Sequence, residues 1–536
     1  MSKDSANSKA PVKPDQPLPV GWCWATLREI AQLKGGFAKG KKRDSGTKLH
    51  DVPYLRVANV QRGYLDLSEM LTIEATRDEV HELQLMKGDV LFNEGGDRDK
   101  LGRGWIWNGE LPLCIHQNHV FRARLLSQGI SPKLVSWYSN SAGQRYFWDE
   151  GKHTTNLASV NLTKLGNFPV PVPPATEAES VVEALDSYLT RLDAATEGLK
   201  RVEANLKRYR ASVLKAAVEG NLVPTEAELA KKEKREYEPA SVLLERILKE
   251  RRHRWEQAEL AKMKAKGEVP KNDTWKKKYE EPSAPDTSDL PELPEGWCWA
   301  SVDQLSLLIQ YGTSAKTNEE ADGVPVIRMG NIVDGYLTLE SDTLKYLPRD
   351  HDELPSLFLE TEDMLFNRTN SAELVGKSAV YMGVPKPCSF ASYLIRVRFS
   401  QEIRAAYVAA YLNSLAGKQW VASVKNQQVG QANVNGSKLA ACAIPVPPGA
   451  EQERIATELE KAASNIENLA SGTARDVVRT ERLRQSILRW AFEGKLVDQN
   501  PSDEPASALL ERIRRERESS QPVKTPKPER VRRKTA

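Results

Sequence analysis

Amide and cationic side chains, the groups suited to reading base edges and holding phosphates, recur in this sequence in two sets. The first comprises Lys39, Lys41, Lys42 and Arg43, then Arg56, Asn59 and Gln61, then Asn93, Arg98, Lys100 and Arg103, then Gln117, Asn118 and Asn156. The second comprises Lys316 and Asn318, then Arg328 and Asn331, then Asn367, Arg368, Asn370 and Lys377, then Gln427, Gln428, Gln431 and Asn433. Asn and Gln donate and accept towards one base at once and Arg pairs bidentately, so these types can specify sequence. Lys and Arg charges hold the sugar-phosphate backbone without reading it. Solvation of the surface explains any single member. Their concentration in corresponding loops of the two chain halves is what points to nucleic acid.

Other chemistries find less support. Residues 35–42, GGFAKGKK, nearly fit the phosphate-binding pattern G-x-x-x-x-G-K-[ST], but Lys42 stands where a Mg²⁺-holding hydroxyl belongs. The counterpart YGTSAKTN lacks the pattern, so the first loop reads as flexible and phosphate-contacting instead. An Asn/Asp-Pro-Pro-aromatic loop and a Gly-rich methyl-donor loop, which adenine methylation would need, are absent from the sequence. His116 and His119 lie opposite Phe390 and Tyr393, which supply no second ligand pair for a metal. Glu94, Asp97 and Asp99 beside Lys100 are the best acidic cluster, yet Asn367, Arg368 and Asn370 stand opposite them. Five cysteines without a CxxC pair read as reduced packing residues. The sequence therefore predicts no catalytic residue, metal or cofactor in this chain.

What must position these loops is a duplication. LPVGWCWATL from Leu18 is matched by LPEGWCWASV from Leu293, and GDVLFN ending at Asn93 by EDMLFN ending at Asn367. One offset of 274 residues carries Asn93 to Asn367, Arg122 to Arg396, Arg124 to Arg398 and Asn161 to Asn435. PVPP at 171–174 returns at 445–448. RASVLKAAVEGNLV from Arg210 pairs with RQSILRWAFEGKLV from Arg484, and EPASVLLERILKERR from Glu238 with EPASALLERIRRERE from Glu504. Loop contents diverge: NEGGDRDKLGRG from Asn93 faces NRTNSAELVGKS from Asn367, and HTTNLASVN at 153–161 faces QQVGQANVN at 427–435. The scaffold is shared and the polar surface differs.

Within each copy, alternating stretches such as VPYLRVANV, GDVLF and HVFRARL read as short strands, and SPKLVSWYSNSAGQRYFWD as an amphipathic helix. PVPP marks the end of the globular module, because proline cannot continue a ladder or the helix interior. Beyond it run apolar positions with the narrow rhythm of a coiled-coil seam: Leu189, Leu192, Leu199, Leu206 and Val213, and again Leu459, Ile466, Leu469 and Ile487. At 1.5 Å per residue the stretch 185–218 makes a rod roughly 50 Å long, more than a ~34–36 Å turn of B-DNA. The expected class is α+β: two homologous mixed modules separated by two long helices that pair as an antiparallel coiled coil with a pseudo-two-fold. The expected boundaries are a tail at 1–17, a module at 18–178, a helical region with a basic extension at 179–279 and a linker at 280–292. A second module at 293–452, a helical region at 453–518 and a basic tail at 519–536 complete them. Net charge is only +4, although 231–278 contains KKEKRE, LKERRHR and WKKK. No apolar run approaches the ~18–20 residues that cross a bilayer, and the polar, proline-rich start has no secretory core, so a cytoplasmic site is expected.

Two modules framed by LPxGWxW and PVPP, each followed by S-[IV]-L-[KR]-x-A-x-E-G-x-L-V, resemble the specificity subunit of type I restriction-modification enzymes, collinearly from about Leu18 to Arg517. The resemblance implies a non-catalytic subunit whose two target-recognition domains each read half of a bipartite site in double-stranded DNA. It implies that the paired helices act as a ruler for the unread spacer. It implies partners: two methyltransferase subunits that use S-adenosylmethionine on adenine, and restriction/translocase subunits that cut with ATP and Mg²⁺, so the cofactors belong to those subunits. The readings set against it are a coiled-coil assembly scaffold and a DNA-modifying enzyme in its own right. The long extension 231–278 departs from a minimal family member and puts symmetric partner docking in doubt.

Overall fold

The computed structural model describes residues 17–38, 40, 47–96, 100–153, 158–268, 270, 272–319, 322–339, 344–428 and 431–519. The chain forms two compact units, Met1–Leu199 with Arg475–Ala536, and Lys200–Ala474. The tails expected at 1–17 and 519–536 lie outside the described residues apart from Pro17 and Ser519.

In the first unit the framing motifs pair with each other. Strand Cys23–Thr26 runs antiparallel to Pro169–Val172, with Trp24 opposite Pro171. A two-stranded ribbon tolerates the prolines because their missing N–H groups face away from the single partner strand. Behind it, Val120–Leu125 lies between Ala31–Lys34 and Val90–Asn93. All four residues of Val90–Asn93 are buried, as expected of a strand covered on both faces. A second sheet places His50–Leu55 between antiparallel Leu71–Ala75 and parallel Ile115–His116.

The second unit repeats this plan. Cys298–Ser301 pairs with Ala443–Val446, Trp299 opposite Pro445. Leu394–Phe399 lies between Ser306–Tyr311 and Met364–Asn367, with Ser378–Val380 added at the edge. Val324–Ile327 sits between Lys345–Leu347 and Ser389–Phe390. The duplicated Arg and Asp positions explain the conserved spacing: Arg124 clasps buried Asp89 with two bonds of 2.8 and 2.7 Å, and Arg398 clasps buried Asp363 at 2.7 and 2.8 Å. Each aspartate also accepts a backbone N–H three residues before it, so neither charge is left unpaired.

Two helices of 44 residues, Ala175–Val218 and Gly449–Phe492, leave the modules directly after PVPP, the first earlier than the boundary expected at 179. In the first unit Val181, Leu185 and Leu189 share a core with Ile487, Leu488 and Phe492. In the second, Ala217 and Val218 share one with Ile455. Start against end in both cases is antiparallel pairing, the arrangement expected for the two helices. Leu189, Val213 and Ile487 are buried, and Leu192, Leu199, Leu206, Leu459 and Ile466 are half-buried. Leu469 corrects the expected seam: it is 57% exposed. The covered stripe passes through Ile466 and Thr473, and at 3.6 residues per turn its intermediate position falls between Leu469 and Ala470, both exposed.

Two further expectations change. SPKLVSWYSNSAGQRYFWD forms two helices, Pro132–Ser139 and Gln144–Glu150. Asn140 breaks them, because its Nδ2 bonds Gly104 O and Ser136 O at 2.7 and 2.9 Å instead of leaving the turn to continue. The expected linker 280–292 is extended chain held to the second module, with Ser301 Oγ donating to Ser283 O at 2.8 Å and Trp299 Nε1 to Pro291 O at 3.3 Å.

The segments after the long helices are exchanged between copies. Helix Ala240–Ala265, which follows the first long helix, sits on the second module: Ala240 N–H donates to Gly296 O at 2.8 Å. Helix Ala506–Ser519, which follows the second, sits on the first: Ala506 N–H donates to Gly21 O at 2.9 Å. The E-G-x-L-V glycines explain themselves here. Gly220 (φ +72°) and Gly494 (φ +66°) end the long helices in the left-handed region, where a Cβ would also stand 2.7 Å from Pro294 and 2.5 Å from Pro19. The motif closing each copy thus meets the LPxGW motif opening the other.

Candidate nucleic-acid interface

In each module the core strand ending in Asn93 or Asn367 runs straight into a divergent loop, and the two divergent loops of that module pair. In the first, Gly95–Gly96 lies beside Ala158–Ser159, which also pairs with Lys152–His153. In the second, Thr369–Asn370 lies beside Gln431–Asn433, which pairs with Asn426–Gln428. The sequence showed two variable loops per copy; only the fold makes them one small sheet.

The second module shows the chemistry most fully. Asn433 Nδ2 donates to Thr369 Oγ1 at 2.7 Å, tying one loop to the other. The Arg368 guanidinium stacks 4.8 Å from the Tyr311 ring centre, and its Nη1 donates to Ser392 O at 3.4 Å. Its Nε is buried without a partner among the described residues, an unspent donor beside the loop. Tyr311, missed in the sequence, also accepts Gly436 N–H at 2.6 Å through its hydroxyl; a tyrosine beside a glycine carries no signal of that role. Asn370 and Lys377 are half-buried in the same loop, Lys316 and Asn318 are exposed, and Arg328 is half-buried. Gln427, Gln428 and Gln431 belong to the paired strands, but their side chains lie outside the described residues.

In the first module Glu94 and His119 form the corresponding lip: His119 Nδ1 meets Glu94 Oε2 at 2.5 Å, and Asn118 Nδ2 lies 3.3 Å from His119 Nε2. His119 is thus partnered by a carboxylate rather than by a second ligand. Arg56, Gln61, Lys100, Arg103 and Gln117 of the same module are half-buried. Lys39, Lys41, Lys42, Arg43, Arg98 and Asn156 lie outside the described residues.

Four expected base readers are corrected. Asn59 and Asn331 are buried; each accepts the N–H of the arginine three residues earlier through Oδ1, and their Nδ2 groups donate to Asp66 O and Thr338 O. Asn93 and Asn367 are buried as well, with Asn93 Nδ2 donating to Val60 O at 2.9 Å. They hold the loops, and their types match between copies because the scaffold matches. The glycine-rich loop is corrected in part. Gly36 and its counterpart Gly312 press backbone to backbone, a Cβ on either falling 2.2 Å from a carbonyl oxygen of the facing strand, so this end of the loop is fixed packing.

Burial also settles the remaining reactive groups. It pushes the Cys114 and Cys388 thiols up to about 12, so both stay protonated, and all five cysteines are free. It pushes His116 down to about 4, leaving a neutral ring where the second copy has buried Phe390. Among the described residues no group of three or more His, Cys, Asp or Glu converges as metal ligands, and no helix is long and apolar enough to cross a membrane.

Paired loops of unlike composition on two like scaffolds define a class of protein that reads two different targets with one architecture. The family described as "Type I restriction modification DNA specificity domain" matches residues 305–473. The chain is 22% identical over 517 residues to the type I restriction enzyme EcoKI specificity subunit of Escherichia coli K12, covering 94% of this chain and 97% of that one. It is 22% identical over 524 residues to the StySPI specificity subunit of Salmonella potsdam, covering 95% and 98%. A solved chain from a study of complex assembly and conformational transition of a type I R-M system superposes with TM-score 0.54 at 18% identity, covering 90% of this chain and all of that one. Over nearly its whole length the chain is thus similar to specificity subunits of type I restriction-modification enzymes.

Proposed function

We propose that this chain is the non-catalytic recognition subunit of a type I restriction-modification complex. Each module reads one half of a bipartite site in double-stranded DNA, and the long helices set the unread interval. The observation that carries this reading is the contrast inside the duplication: Asp89–Arg124 and Asp363–Arg398 repeat to within a tenth of an ångström, while the loop sheets beside them share neither charge nor amide pattern. A plain coiled-coil scaffold would have no use for two such heads. Two methyltransferase subunits and restriction/translocase subunits dock on the helical regions, bringing S-adenosylmethionine, ATP and Mg²⁺ as their own cofactors, and the complex works in the cytoplasm.

The test exchanges residues 367–377 together with 426–435 for those of a relative, then maps methylated sites after assembly with methyltransferase subunits. One half of the recognised sequence changes and the other is retained. Altered bases in both halves would contradict modular reading, and methylation by the purified chain alone would overturn the non-catalytic assignment.

A further inference from the structure

The recognition role leaves unexplained the extension between the copies. The first half of helix Ala240–Ala265 is anchored to the second module: Arg246 reaches Glu402, Glu250 accepts from Ser400 Oγ, and Arg251 pairs with Asp303 at 2.8 Å. Beyond Arg254 the helix has a different neighbour. There it packs against the returning segment 272–281. Trp255 stacks on Trp275 with ring centres 6.0 Å apart and lies 5.3 Å from Tyr279, and Arg252 covers Tyr279 at 5.7 Å. Trp275 is buried in this clamp, and Asn272 starts the 3₁₀ turn Asp273–Lys278 by accepting Thr274 N–H at 3.1 Å. The result is a two-limbed arm.

Its charge is lopsided. Residues 249–281 hold eleven Lys and Arg against seven Asp and Glu, a net +4, as much as the whole chain carries. Five of these acids are spent on particular cations: Glu250 on Arg254, Glu256 on Arg252 and Lys276, Glu259 on Lys262, Asp273 on Lys276, and Glu281 on Arg252. Lys264, Lys266, Lys277 and Lys278 are exposed and have no carboxylate within salt-bridge distance among the described residues. A merely solvated helix face needs no aromatic clamp to bring a second limb of lysines beside the first. Lysine is a point charge on a flexible stem, fitted to phosphate and poorly fitted to bidentate base reading.

We propose that this arm binds the phosphate backbone of duplex DNA outside the bases read by the loop sheets, adding affinity without specificity. The inference rests on the recognition role only in taking DNA as the ligand.

The experiment uses the full chain assembled with its methyltransferase subunits, as wild type and as the quadruple variant Lys264→Gln, Lys266→Gln, Lys277→Gln, Lys278→Gln. Binding is measured over a salt series to a duplex limited to the target and to one extended by about 20 base pairs on each side. Each phosphate contact contributes about 0.9 to the slope of log K against log salt. On the long duplex the variant loses up to about 3.6 of slope and binds roughly 10- to 100-fold more weakly at low salt. Its mapped methylation sequence is unchanged. A Trp275→Ala variant, which frees the returning limb but keeps every charge, gives an intermediate loss. Equal slopes and affinities for wild type and quadruple variant overturn the proposal; so does failure of the quadruple variant to assemble, which makes the arm a protein-docking surface, and so does an altered methylation sequence. A wild-type complex that prefers no sequence yet keeps the arm-dependent slope would instead count against the recognition role alone.

Discussion

At the scale of single residues, side-chain type and side-chain duty separate. Asn93 and Asn367 have the chemistry to read adenine, and their burial assigns them to the backbone instead. Arg368, of a type suited to guanine, is only half-buried beside its loop and lies on the Tyr311 ring. His116 shows how the two copies diverge without harm to the scaffold. Its ring is held neutral by burial, with a folded value of about 4 against an ordinary 6.5. The unfolded chain therefore binds a proton that the folded chain refuses between these values, so stability is complete above pH 6.5 and falls as pH drops towards 4. Between pH 7 and pH 5 this group removes about 2 kcal/mol, at 1.36 kcal/mol per unit. His116→Phe, the residue the second copy carries, should remove that part of the decline in denaturant unfolding at the two pH values. Identical pH dependence in both proteins would refute the assignment.

At the scale of elements, the long helices are unequal along their length. Seam residues near the modules are buried and Leu469 is not. Leu189→Asp should cost about 4 kcal/mol by burying an unpaired charge, and Leu469→Asp should stay within about 0.5 kcal/mol, as an exposed change does. Thermal unfolding and sizing of the two variants measure this directly; an equal loss in both would show that Leu469 belongs to the seam after all. The ribbon of Cys23–Thr26 with Pro169–Val172 gives the framing motifs their physical meaning. They are the two edges of one closure, so both must persist while the loops they enclose drift.

At the scale of the whole molecule, exchange of the post-helical segments makes neither copy self-sufficient. Gly494 closes on Pro19 and Gly220 on Pro294, so each module is completed by chain from the other repeat. If the paired helices set the unread interval, inserting one heptad into each at facing positions lengthens the rod by about 10 Å, or about three base pairs of spacer. Mapping methylated sites with the lengthened chain checks this, and an unchanged spacer would refute the ruler.

The sequence by itself determined the duplication, the α+β class, the presence of a helical seam and the contrast between shared frame and divergent loops, because self-comparison and hydrophobic period depend only on residue order. It could not distinguish Asn93, a buried bracket, from Asn433, a loop-joining side chain, since burial is set by strands far apart in the chain. Nor could it show that the two variable loops of a module form one sheet, or that the basic extension folds back on a tryptophan clamp. Those are long-range pairings, and the energy that selects them lies in packing and hydrogen bonding between segments whose local patterns are silent about each other.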